Sequence, residues 1–176
     1  MRFVRSSESL AFETVWSRLP RKGRLPSRGA FEPRLAKALL RNLLLVQAPS
    51  TVDPTLHIRL VGEAIRAQIL NDIVGVDFLD FLPEPQQRAV ILDVVRDMFS
   101  RPCGAWWIAP VHYKRGYSQL WELTAFPLAA NERGQAAVVV HVLPFHDVGN
   151  THGIVRKLMI MDYPTQLERI AIDPGV

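Results

Sequence analysis

The sequence predicts an α+β fold: an antiparallel sheet with helices packed on one of its faces. Three observations carry the prediction. The elements run in the order of two strand-like segments, a block of helical patterns, then three more strand-like segments separated by turns. Within Thr55–Gly62 (TLHIRLVG), Leu56, Ile58 and Leu60 point one way in an extended chain, and His57 and Arg59 point the other. Further on, Val90, Ile91, Val94, Val95 and Met98 fall on one stripe of a helix that begins near Pro85 and ends before Pro102 and Gly104.

Taken in order, Phe12, Val15, Trp16 and Leu19 recur at helical spacing, with Ser7 or Ser9 as cap and Pro20 as stop. Trp16 costs too much to leave in water, so this amphipathic helix packs on the body or on a second copy of the chain. Residues 21–31 (RKGRLPSRGAF) read as an extended basic linker. Pro33 suits the first turn of a short helix reaching about Leu40. Asn42 to Gln47 is a buried strand, paired through the turn at 49–54 with the strand at Thr55. Glu63 to Leu70 is a short helix, and Asn71 to Leu82 a loop with a helical turn. Ala105 to Tyr113 is a strand whose Pro110 predicts an edge position or a bulge. Tyr117 to Leu128 is a strand broken near Pro127. Asn131 to Gly134 is a hairpin turn, and Gln135 to Leu143 a central strand covered on both faces. The tail contains one possible strand, Leu158 to Met161.

The chain has 176 residues, nearly half of them apolar, which is enough for one domain with extra segments at its ends. No apolar run approaches the roughly 20 residues that cross a bilayer. After Arg2 and Arg5 come charged and polar residues, where a signal peptide has an apolar stretch. Cys103 is the single cysteine, so no internal disulfide forms, and a cytoplasmic setting is expected. The net charge of +4 divides into +7 over residues 1–41 and −3 over the rest. Such an arm suits nucleic acid, an anionic surface or simple solvation, and solvation is the commonest fate of basic runs.

The runs RKGRLPSRGAFEP, LLRNLLLVQA, HIRLVGEAI and GVDFLDFL, in that order, resemble a bacterial family of stand-alone PAS proteins. The approach segment Arg24-Leu25-Pro26-Ser27-Arg28 is one residue shorter than the family's Arg-x-Leu-Pro-x-Arg. The second strand is Leu56-His57-Ile58-Arg59-Leu60-Val61-Gly62. The resemblance covers about residues 10–147 and omits the tail. It implies a PAS-like five-stranded antiparallel sheet closed by helices on one face, with the N-terminal amphipathic helix added. The expected divisions are 1–39 for that helix and its basic linker, 40–147 for the PAS domain, and 148–176 for a C-terminal extension. The resemblance also implies a sensory or docking module, with a flavin, a haem, a small metabolite or only side chains inside it.

The residues argue against the two large cofactors. A light-sensing flavin PAS has a reactive cysteine on the helix facing the flavin, whereas Cys103 follows the long helix. A haem needs an axial ligand, and helix 86–99 has no histidine. His141, His146 and Asp147 match no common metal spacing. Gly149–Gly153, with His152 inside it, lacks the glycine spacing and lysine of a phosphate loop. No nucleophile stands in a recognisable motif with a histidine and an acid, so an enzyme is not expected. The expected function is therefore non-catalytic: small-ligand sensing, protein–protein contact or both, with a nucleic-acid-associated regulator as the alternative.

Trp106 and Trp107 are adjacent on a strand, so one faces inward and the other outward. The expected pocket residues are Ile58, Leu60, Phe78, Val94, Met98, Trp106 and Trp121. The expected interface of a homodimer is Phe12, Val15, Trp16 and Leu19 with Trp107. A signalling protein is the expected partner besides the second copy.

Overall fold

The computed structural model describes residues 2–21, 23–32, 34, 37–50, 53–69, 72–113, 118–144, 158–161 and 166–172. In chain order these form α1 (Ser7–Ser17), β1 (Leu43–Gln47), β2 (Ile58–Val61), α2 (Glu63–Ile69), a 3-10 turn at Phe78–Phe81, α3 (Pro85–Ser100), β3 (Cys103–Tyr113), β4 (Ser118–Leu128), β5 (Ala137–Pro144), β6 (Leu158–Met161) and β7 (Gln166–Ala171). Pro33, Tyr117, His146, Asp147, His152 and the 149–153 segment lie outside the described residues.

Helices α1 and α3 each start where the sequence supplies a cap. At α3 the Glu84 and Gln87 side chains cap each other's backbone, and Pro85 occupies the first turn. At α1 the cap is Ser6, one residue before the expected serines, with its Oγ accepting the Ser9 amide at 3.0 Å. Leu19 lies past the end of α1 but is still buried. The 131–134 turn closes as expected: Asn131 Oδ1 accepts the Arg133 and Gln135 amides, and Gly134 takes the left-handed conformation at φ 72°.

The strands lie in the order β2-β1-β5-β4-β3-β6, with β7 also paired to β3, and every pairing is antiparallel. The first five strands are the five-stranded sheet of the PAS-like expectation. The C-terminal strands β6 and β7 extend it. They correct the edge position expected for β3, because β7 pairs with Cys103 to Ile108 and β6 with Val111 to Tyr113. Pro110 sits between these two stretches, where that flank has no ladder among the described residues for its missing N–H to break. Pro127 does not break β4 either. It lies beyond the last β3 pair, Ala105–Ala125, and its free carbonyl accepts the Trp16 Nε1–H at 3.0 Å.

β2 departs from simple alternation. Leu45 pairs with Leu60 and Val46 with Ile58, so Arg59 is an extra residue, a β-bulge. The bulge shifts the phase of everything after it. Ile58 stays inside, Leu60 turns outward to 40% exposure, and Val61 is buried in its place. Gly62 then brings the chain so close to the Leu40 and Arg41 carbonyl oxygens that a Cβ has no room. Its amide donates to Leu43 O at 2.7 Å.

Two hydrophobic layers result. On the inner face, α2, the Phe78–Phe81 turn and α3 pack on Leu44, Val46, Ala105, Trp107, Ala109, Leu123, Val138 and Val140. On the outer face, α1 with Leu19, Leu25, Phe31 and Leu39 covers Leu43, Trp106, Ile108, Phe126, Leu128 and Val139. The 21–31 segment is therefore no free linker. Arg21 bridges to Pro26, Ser27 bridges to Ala129, and Ala129 N–H donates to Pro26 O at 2.7 Å.

Candidate functional site

The inner face encloses a cavity of about 30 Å³ walled by apolar side chains, among them Leu56, Phe78, Ile91, Val94, Met98 and Trp107. Phe78, Val94 and Met98 were expected there and are brought together. Ile58 and Trp121 belong to the same buried cluster but not to the cavity wall. Trp121 Nε1 donates to Tyr113 Oη at 3.2 Å, and Tyr113 in turn donates to Gln119 at 3.4 Å. Leu60 is excluded by the β-bulge.

The two adjacent tryptophans correct the expectation by exchanging roles. Trp107 faces the cavity and Trp106 the outer layer. Register fixes this: Trp107 pairs with Leu123, and Trp106 with Thr124, so Trp106 shares its face with Thr124 and Glu122. The readable signal was this polar pair, in phase within the otherwise apolar stretch Leu120–Leu128. Trp107 Nε1 is buried and has no hydrogen-bond partner among the described residues.

The expected dimer residues are also reassigned. Phe12, Trp16 and Leu19 are at most 4% exposed, packed on their own sheet, and Val15 is half-buried beside them. Trp16 stacks on Phe126 with ring centroids 4.7 Å apart, and the Arg21 guanidinium lies over the Trp16 ring, 4.8 Å from its centroid. The helix satisfies its apolar stripe within the chain, so that stripe is not on offer to a second copy.

Beneath α1 lies a buried polar group that the sequence reading missed. Glu122 Oε1 accepts the Trp106 Nε1–H at 2.6 Å and the Ser6 amide at 2.9 Å. Ser9 Oγ and Thr124 Oγ1 share a hydrogen bond of 2.6 Å. His141 is 2% exposed, with its ring centroid 5.7 Å from that of Phe12. Glu122 Oε2 and His141 Nδ1 are buried without a partner among the described residues. Burial holds the His141 imidazole below its ordinary pKa, against a smaller upward pull from Glu122 and Glu8. Burial likewise pushes the Cys103 thiol up.

Of the basic side chains in 1–41, Arg2 pairs with Glu168, Arg5 with Glu13 and Arg34 with Glu32. No group of histidine, cysteine and acidic side chains suited to a metal ion occurs among the described residues. No helix among them is long and apolar enough to cross a membrane.

The sheet order, the helices on its inner face and the cavity between them define a PAS domain. The chain belongs to the PAS family: the family model PAS_5, described as a PAS domain, matches residues 4–141. PAS domains are in general sensory and signalling modules. No curated protein matches the chain. A solved structure described as "Structure of an RNA-binding Light-Oxygen-Voltage Receptor" aligns at 14% identity and a TM-score of 0.44, over 72% of this chain and 37% of that one.

Proposed function

We propose that this PAS domain is a non-catalytic signalling module that works by contact with other protein, its core filled by its own side chains. The observation that carries this reading is the inner cavity. About 30 Å³ of apolar space holds roughly one water molecule, whereas small-molecule sites occupy roughly 300–1,000 Å³. The reading includes a second copy as a partner. The two most exposed large apolar side chains among the described residues, Val4 at 83% and Leu10 at 51%, both stand on the N-terminal layer. A homodimer on this reading uses the solvent side of that layer, not the buried stripe.

Native mass spectrometry of freshly purified protein, with Leu10→Glu beside it, tests both parts. The expected spectrum shows a dimer without added small-molecule mass, and monomer for Leu10→Glu. A stoichiometric adduct of several hundred daltons would overturn the filled core. A monomeric wild type at tens of micromolar would overturn the pairing.

A second reading, sensing of a small ligand, is supported by Trp107, whose ring lines the cavity. Such a ligand would show as a small adduct that Trp107→Phe loses.

A further inference from the structure

We propose that α1 is a proton-sensitive latch on the outer face of the sheet, held closed while His141 is uncharged beneath Phe12 and released when that imidazole takes up a proton. The inference does not depend on which partner the domain meets.

The geometry places His141 poorly for carrying a charge. It sits on β5 between Leu43 of β1 and Thr124 of β4, with Phe12 of α1 above it. Its Nδ1 is buried and unpartnered among the described residues. The groups that face it electrostatically are Glu122 from β4 and Glu8 from α1, while β1 contributes the uncharged Leu43. Both acids favour the imidazolium, but burial outweighs them. A charge forced into this layer is left without a hydrogen bond at Nδ1, and such a charge is strongly destabilising.

The layer yields at its weakest attachment. β5 cannot move, because backbone ladders to β1 and β4 hold both its edges. α1 has no ladder to the sheet. Its polar attachments are the Ser6 amide on Glu122, Ser9 on Thr124 and Trp16 Nε1 on the Pro127 carbonyl. Lifting it returns His141 and Glu122 to water and uncovers Trp106. Local opening of this kind follows the same linkage as global unfolding. The closed state binds fewer protons than the open one between the depressed pKa and the ordinary value of 6.5. Closure is therefore complete above pH 6.5 and weakens as pH falls below it.

Hydrogen exchange on the full chain tests the latch. The reading is the protection of the α1 amides relative to those of α3, which cancels the intrinsic pH dependence of exchange. From pH 7.5 to 5.5 the ratio is expected to fall, by at most about tenfold per pH unit for one proton. His141→Phe should hold the ratio flat, and Glu122→Gln should leave the fall in place. A wild-type ratio that does not change with pH would overturn the proposal, as would an undiminished fall in His141→Phe. Should His141→Phe not fold, the His141 ring signals of the wild type decide by NMR. Their titration must share its pH range with α1 opening, and separate ranges would overturn the latch.

Discussion

On the inner face of the sheet, α2, the Phe78–Phe81 turn and α3 are threaded between β2 and β3 and meet the strands through aliphatic and aromatic side chains. On the outer face one helix, α1, lies across the strands and is fixed by side-chain hydrogen bonds to Glu122, Thr124 and Pro127. Both faces bury tryptophan, but in different company. Trp107 stands in an apolar wall with its N–H unpartnered among the described residues, while Trp106 donates to a buried carboxyl group. An apolar interface has no lateral preference and gains from every area it removes from water, so it favours permanent closure. A polar one in low dielectric is strong when each partner is in place and expensive when one is missing, so it favours an all-or-none contact. The comparison assigns the structural core to the inner face and the movable part to the outer one.

Three substitutions test whether the two faces differ in this way. Met98→Ala enlarges the inner cavity and should cost about 2–5 kcal/mol, read as a fall in the urea midpoint together with lost protection throughout the sheet. If the loss stayed within α3, the inner face would not be the common core. Trp106→Phe leaves Glu122 with the Ser6 amide as its remaining partner on Oε1, and should cost about 1–3 kcal/mol. That loss should fall on α1, with the α3 amides unchanged in hydrogen exchange; equal loosening of both helices would erase the distinction between the faces. Ser6→Ala removes the cap of α1 but keeps its backbone bond to Glu122. It should cost about 1 kcal/mol, visible as earlier fraying of α1, and an effect as large as that of Trp106→Phe would place the hold on α1 in the cap, not in the carboxyl group.

Much of the fold was legible where a pattern was long enough to have one reading. The stripe from Val90 to Met98, the hairpin at Asn131–Gly134 and the apolar run of β5 needed no neighbour to be interpreted. The candidate site was legible in part. Phe78, Val94 and Met98 reach the cavity as expected because two of them lie on that stripe and the third on an aromatic turn facing it. Leu60 fails through a single inserted residue, Arg59, whose bulge no alternation pattern reveals. The Trp106–Trp107 pair fails because adjacent residues on a strand alternate with certainty, but which parity faces the helices depends on the partner strand. Cross-strand register with Leu123 and Thr124 decides it. β7 was missed because Gln-Leu-Glu-Arg-Ile-Ala has no clean alternation; it is strand because β3 offers an open ladder and Arg169 reaches Asp97 of α3 at 3.0 Å.

Local pattern alone set the α+β class, the order of the elements, the 131–134 turn and the need for Trp16 to find cover. These are local matters, set by periodicity, by the N–H that proline lacks and by the cost of wet aromatic surface. That α1 of the same chain covers Trp106, that the tail extends the sheet, and that Glu122 and His141 both lie beneath one helix emerged on assembly of the fold. Those outcomes depend on which strands become neighbours and in what register, a long-range choice that no window of the sequence contains.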